Sequence, residues 1–464
     1  MKLKYWVFPP AVLYCNMLNV VQLQQLTRGK TVQNFQLSLF YDLQEFIRKS
    51  TFYRKYDLLF RALPVPRFAD RNTNSGRTGY SRHAMLRALI VKHLEQIKSV
   101  PRLIEFLDSQ PVLTEMCGFK MGVLPDETQF YRFLQKTPNS VFDKLHLVIN
   151  RKLVDQGIVT LDTFIMDSKP VMAATRENNF KNPNRNCRDK KKKPKRNPAA
   201  TLGYYSYQKF AVDNKKLFFW GYRTHVIVSK EGVPLVEKTL PNNVSDAEVT
   251  RSLIKKLKRC FRFKKNSIFI GDKAYDLRKL YNLIVNTMKC QAFIALNQRN
   301  TQDEKIFGPS GAPLCEAGLE MKPAGTWTEG LRKRSKFRCP IKSATSTQLY
   351  PVLCPVGNPR FDNVYGCTTN LDITEDDRSQ IQRGTDFFKQ IYRQRQIVEQ
   401  YFSRLGDREV EQTTHYKLRT VQNQMTIAHL CMSLVAAAAG ILLKQPEKIR
   451  CYRTFADRTL KNAA

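Results

Sequence analysis

Three carboxylates in this 464-residue chain fall where a sequence can place metal chemistry. Asp167 closes the apolar run TFIMD, Asp272 closes SIFIGD, and Glu399 lies in the predicted helix TDFFKQIYRQRQIVEQYFSRL. An apolar strand that ends in Asp holds a carboxylate at the rim of a sheet. Two such strands side by side bring their acids together, and a helix packed across the same edge adds a third. Three converging acids repel one another unless a cation sits between them. Hard oxygen donors select Mg²⁺ or Mn²⁺. Two such ions about 4 Å apart suit phosphodiester chemistry, activating one oxygen and stabilising the other. Each acid also has a plain structural reading. Asp after a strand commonly caps a turn or helix, the role expected of Asp162, Asp213 and Asp276. A Glu on a charged helix face is usually solvated. The set therefore carries more than its members do.

The elements that must position these residues can be read from periodicity. From residue 39 to 154 the pattern is helical: Met85, Leu86, Leu89, Ile90, Leu94 and Ile97 recur three and four apart after a capping Ser81. A second helix begins near Val100 with Pro101 in its first turn, and Pro125-Asp126 opens a third. Several short helices of this kind suit a helix-turn-helix DNA-binding unit or any small bundle. From Val159 the order becomes strand, strand, strand, helix, strand, helix, strand, with a hairpin at Lys230-Glu231-Gly232. A long helix from Asp386 to Leu405 closes it. That order matches an α/β fold of ribonuclease H-like type, a mixed five-stranded sheet flanked by helices. The expected division is a loosely ordered extension at 1–38, a helical DNA-binding domain at 39–154, and a catalytic domain at 155–298 with a basic loop at 181–200. A Cys-containing insertion at 299–370, the rest of the catalytic domain at 371–450 and a tail at 451–464 complete it.

Charge narrows the partner. Lys and Arg number 77 against 40 Asp and Glu, a net charge of +37. A polyanion that releases counterions on binding explains such an excess. Lys190, Lys191, Lys192, Lys193, Lys195 and Arg196 cluster in one Pro- and Asn-rich loop and read as a phosphate-contacting arm, the alternative being a solvated, flexible loop. Charge alone supplies no sequence specificity. A second run, Leu331 to Arg338, lies in the insertion. Eleven Cys, an odd number over a long chain, do not form a secreted disulfide framework. They fit a reducing compartment. The apolar start is interrupted by Pro9-Pro10 and Asn16 and does not read as a signal peptide. The apolar stretch Ile427 to Leu443 is short for a spanning helix and reads as a buried one.

With these residues in hand, the chain resembles the DDE transposases of bacterial insertion sequences from about Leu39 to Leu443. The resemblance rests on Thr78-Gly79-Tyr80-Ser81, Ser99-Val100-Pro101-Arg102, Gly118-Phe119 and Pro125 in the helical part. It continues through Met166-Asp167-Ser168-Lys169-Pro170, Gly221-Tyr222-Arg223-Thr224-His225 and Ile270-Gly271-Asp272-Lys273-Ala274-Tyr275-Asp276. The family's third motif reads here as Tyr392, Arg395 and Glu399, but Gly406 stands where Lys is expected. Arg404 and Arg408 are the candidates for the missing cation. The resemblance implies that Asp167, Asp272 and Glu399 hold two Mg²⁺ or Mn²⁺ ions. It implies that Arg395 meets a DNA phosphate, and that Tyr392 stacks near the cleaved strand or packs in the core. It implies binding of double-stranded DNA at terminal inverted repeats and at a target, as a homodimer on paired ends, in the bacterial cytoplasm at the nucleoid and not at a membrane. Water would free a 3′-OH that attacks target DNA, with no covalent protein intermediate. The alternatives are a nuclease of the same core without strand transfer and an inactive DNA-binding remnant. Similar transposases carry Cys in a matching insertion, which makes Cys315, Cys339, Cys354 and Cys367 candidate ligands of a structural Zn²⁺, although their wide spacing lacks close pairs. His225 is expected to be a strand histidine hydrogen-bonding near the catalytic edge. Trp327 and Phe337 are expected to pack the insertion or to stack on a distorted DNA end.

Overall fold

The computed structural model describes residues 45–66, 68–71, 78–178, 193–208, 214–297, 306–330, 332–343, 353–373, 377–408 and 410–457. The extension at 1–38, Lys190, Lys191, Lys192, Asp213 and Leu331 lie outside them.

Among the described residues, a helical segment at 45–49 precedes six helices: α1 (Thr51–Ala62), α2 (Arg82–Leu94), α3 (Val100–Asp108), α4 (Pro111–Cys117), α5 (Glu127–Lys136) and α6 (Asn139–Asp155). Their starts follow local chemistry. Ser81 Oγ accepts from Ala84 N at 3.0 Å, and Asp126 accepts from Thr128 N and Gln129 N, each meeting donors that a first helical turn leaves free. Pro101 sits in the first turn of α3, where its missing N–H is no loss. α2 is buried from Ala84 to Leu94 apart from Arg87, and even Lys92 and His93 are enclosed. It is a core helix and presents no free face to a DNA groove.

The central strand is β1 (Thr163–Met172). It runs antiparallel to β3 (Asn214–Ser229) and parallel to β5 (Ile268–Gly271), which is parallel to β6 (Gln291–Ile294). β4 (Pro234–Pro241) pairs with β3 through the expected hairpin, whose Gly232 takes φ +74°. β2 (Thr201–Gln208) pairs with the first half of β3, a strand that the sequence reading missed. The path β4-β3-β1-β5-β6 is the ribonuclease H-like mixed sheet. α7 (Asp246–Cys260) connects β4 to β5, and a short α8 (Arg278–Tyr281) leads toward β6.

Alternation along the strands feeds two cores. Phe164 and Met166 face one, with α1 to α7, so the N-terminal helices share that core with the sheet. Ile165, Val226, Val228 and Ile270 face the other. After α9 (Asp377–Gln380) come α10 (Asp386–Tyr392) and α11 (Gln396–Gly406). Val398, Tyr401 and Leu405 of α11 close the second core. The expected single helix from Asp386 to Leu405 is broken by a tight 3₁₀ turn at Arg393–Arg395. The last helix, α12 (Leu418–Ala437), contributes to both cores and is buried nearly all round, which accounts for its apolar composition. It is long and apolar enough to cross a membrane, yet 89% of its most apolar window is buried inside the protein. The insertion forms its own antiparallel sheet of β7 (Lys322–Glu329), β8 (Arg332–Arg338) and β9 (Thr368–Asp372).

Candidate active site

Register brings the two aspartates together. The parallel pairing of β1 with β5 ends at Met166↔Gly271, and Asp167 and Asp272 are the next residues on each chain. Neighbouring strands lie about 4.8 Å apart. β1 itself runs five residues past Asp167, paired with β3, so Asp167 is not the end of its strand as expected. Only its partnership with β5 stops there. Gly271 permits the packing: a Cβ on it would come within 3.1 Å of both Met166 Cε and Tyr275 Cδ2. Asp272 leaves β5 directly and caps the turn at Lys273–Tyr275, accepting from Ala274 N at 2.8 Å.

Glu399 arrives on α11, one turn after Arg395. Arg395 Nη1 donates to Glu399 Oε1 at 2.6 Å, and Arg395 Nη2 reaches Asp167 Oδ2 at 3.4 Å. The guanidinium thus bridges two of the three acids across elements far apart in the chain. Only 15% of the Asp167 side chain is exposed. Burial pushes its carboxyl up to about 7; Arg395 opposes this, while Asp272 and Asp246 add to it. Glu399 is more open, at 55%.

Asp246, at the start of α7, is a fourth acid of the site that the sequence reading missed. It accepts from Arg223 Nη1 at 2.8 Å, and burial raises its carboxyl, with Asp272 contributing. In the sequence it reads as an ordinary first-turn acid after Ser245, and no local signal separates it from a cap. Tyr275 is buried beside the same acids, and burial followed by the fields of Asp167, Asp246 and Asp272 raises its hydroxyl. His225 is the register partner of Ser168, but neither ring nitrogen makes a hydrogen bond. Its Nδ1 lies 3.7 Å from Asp246, and burial lowers its pKa to about 3, so the ring is neutral. The expected hydrogen bond is not formed: Asp246 is beyond hydrogen-bond distance of the buried ring and is bonded to Arg223 instead. Tyr392 stacks on Phe388 with ring centroids 5.6 Å apart and stands within the field of the acids.

An amino group from another element lies beside Gly406. A Cβ there would lie 3.2 Å from Lys169 Nζ, which pairs with Glu411 at 2.7 Å and donates to the Phe402 carbonyl at 3.1 Å. Arg404 turns instead to the Gly232 carbonyl, and Arg408 is buried against the Leu94 carbonyl. Asp276 and Asp162, expected as turn or helix caps, instead form ion pairs with Arg378 and Lys230 respectively. Of the basic arm, Lys193, Lys195 and Arg196 are exposed, while the adjacent Asn197 is buried and bonded to Tyr222 and the His415 carbonyl.

Carboxylate oxygens are the donors that hard divalent ions take, and the mutual repulsion of Asp167, Asp246 and Asp272 is what a cation would relieve. Among the described residues, no three Asp, Glu, His or Cys side chains already close on one point. Arg395 stands between Asp167 and Glu399, and Glu399 must leave it to act as a ligand. Asp167 is held by the same guanidinium, through Nη2 at 3.4 Å, whereas Asp272 is bonded to Ala274 N and not to Arg395.

The chain is similar to known families and structures. Residues 160–434 match the family described as transposase DDE domain, and residues 41–136 match the family described as transposase domain (DUF772). Among solved structures, a cryo-EM structure of the piggyBac transposase synaptic complex with hairpin DNA is similar at 9% identity and a TM-score of 0.38. That match covers 90% of this chain and 78% of that one. The Mos1 transposase paired-end complex with the left transposon end matches at 14% identity and a TM-score of 0.16, covering 48% and 61%. No curated protein matches the chain significantly.

Proposed function

This chain belongs to the transposase DDE domain family, and we propose that it binds the ends of its own insertion sequence and catalyses metal-dependent cleavage and strand transfer there. Asp167, Asp272 and Glu399 would hold two Mg²⁺ or Mn²⁺ ions. When bound, such ions activate the attacking oxygen and stabilise the leaving one. The chain's own groups do the rest. Asp246, held by Arg223, keeps the local field negative and favours a cation beside Asp167 and Asp272. Arg395 neutralises Asp167 and Glu399 in the resting site, and its planar fork suits a DNA phosphate once those acids are engaged elsewhere. Lys169 shares the face of β1 that carries Asp167, because side chains two apart on a strand point the same way. It is the cation that would meet a second phosphate, in the role that Gly406 leaves open. A homodimer on paired double-stranded ends is the assembly this chemistry calls for, since two ends must meet one target.

The observation that carries this reading is the register of Asp167 and Asp272, each one residue past the last parallel pair of β1 and β5. The experiment is Asp272→Ala in the full chain, assayed on DNA bearing an end of the element. The variant is expected to lose Mg²⁺-dependent nicking while it still binds the DNA. A variant that cuts as well as the parent removes Asp272 from the site and the proposal with it.

A further inference from the structure

We infer that Cys315, Cys339, Cys354 and Cys367 form a structural zinc site that holds the insertion together. All four are free thiols, and all four line one small pocket although 52 residues separate the first from the last. The backbone directs them there in two ways.

Cys315 and Cys354 each open a tight turn closed by a glycine. Gly318 N donates to the Cys315 carbonyl and Gly357 N to the Cys354 carbonyl, with φ of +72° and +60° at the two glycines. The two turns are tied to each other, because Asn358 Nδ2 donates to Glu316 Oε2 at 2.7 Å. Cys339 and Cys367 come from the sheet. Arg338↔Thr368 is the last register pair of β8 and β9, so Cys339 and Cys367 stand opposite each other one residue beyond it. Gly366 allows that approach, since a Cβ on it would lie 2.6 Å from Cys339 Cβ. Two turn thiols and two strand-end thiols around one pocket make a four-sulfur donor set, the closed tetrahedral arrangement of structural zinc. The sulfurs ring the pocket without yet meeting at one point. Ligation would turn them inward and release their protons.

The insertion has a physical need for such a staple. None of its described residues joins either hydrophobic core, and the buried apolar side chains among them are Met321, Cys339 and Phe361 beside Pro313 and Pro340. Its sheet is exposed along most of β7. So small a unit without a core of its own needs a metal, disulfides or a partner to stay folded. Four thiolates around Zn²⁺ would carry two net negative charges. Arg338, over the Tyr365 ring, and Lys342, over the Phe361 ring, stand next to the pocket to offset them. The site lies apart from the carboxylates, and the inference does not depend on the proposed catalysis.

The test uses the full chain, purified without a metal-affinity tag, and measures metal content by mass spectrometry. The expected result is about one zinc per chain, released by a mercurial and captured by a coloured chelator. Replacement by cobalt should give the intense visible bands of tetrahedral thiolate ligation. Cys315→Ser with Cys354→Ser should abolish the zinc, and the metal-depleted parent should be cut by protease within 299–370 while its core survives. Asp167→Asn should keep its zinc, which separates this outcome from failure at the catalytic site. Zinc-free protein with four reduced thiols, a mass loss that marks two disulfides, iron in place of zinc, or zinc retained by the double variant would each overturn the inference.

Discussion

Lys169 of β1 places its amino group beside Gly406 of α11, the position where the third motif expects a lysine. The third motif asks for a cation about two turns after Glu399, on the same helix. In this chain α11 offers Gly406, and the amino group beside it comes from β1. Room for only one of the two explains the pairing: a side chain at 406 would meet both Lys169 Nζ and Glu411 Oε1, the latter at 3.0 Å. Lys169→Ala is therefore expected to slow nicking about tenfold or more, the scale of one charge-assisted hydrogen bond to phosphate. Adding Gly406→Lys to that variant should recover activity, whereas Gly406→Lys alone should lower stability. The three-way comparison in a single-turnover assay checks this, and an inactive double variant would detach Lys169 from the role. The aspartates were legible in the sequence because an apolar run ended by an acid is a local pattern. Lys169 was not, since its meaning depends on a contact with a helix 233 residues away. Asp246 was hidden for the opposite reason, because its local pattern already had an ordinary explanation.

The element that ties the sheet to the last helix contains a buried acid outside the catalytic edge. Glu237 of β4 accepts from Thr426 Oγ1 of α12 at 2.6 Å, and its other oxygen has no partner. Burial pushes its carboxyl up to about 7, against partial opposition from Lys256 and the Thr426 hydroxyl. The folded state thus holds this proton more tightly than the unfolded chain, where a carboxyl titrates near 4.3. Its contribution to stability is complete below that value and is lost as pH rises through 7. Glu237→Gln should flatten this dependence and gain up to roughly 3 kcal/mol over the parent at pH 8, where the parent must bury a charge. Thermal melts of both proteins between pH 5 and 8 check it, and parallel curves would refute it. At this scale the sequence was informative wherever period and caps agreed, as for α2, α3, α5 and the β3–β4 hairpin. It failed at β2, whose residues follow a cationic loop and form a strand only because β3 offers an open edge. It also failed at Arg393–Arg395, where no Gly or Pro announces the break and the turn carries the arginine that reaches Asp167.

Across the whole molecule, charge and architecture point to the same partner. The helices and the sheet share a continuous core, so the net +37 has to be carried on surfaces and loops around a rigid centre. Such a surface repels itself until polyanion binds, and binding then releases condensed counterions. The run from Lys190 to Arg196 concentrates six of those cations in seven residues. Its described residues Lys193, Lys195 and Arg196 are exposed, and Asn197 immediately afterwards is held by Tyr222 of β3. Each phosphate neutralised steepens the dependence of log K on log salt by about 0.9 for duplex DNA. Replacing Lys190, Lys191, Lys192, Lys193, Lys195 and Arg196 by Ser should therefore reduce that slope by up to about 5. Affinity should fall by similar factors for end-containing and unrelated duplexes, because phosphate contacts do not read sequence. Binding isotherms across a salt series for parent and variant decide the matter. An unchanged slope would show that the arm hangs free of the DNA, and a loss confined to end-containing DNA would show that it reads bases.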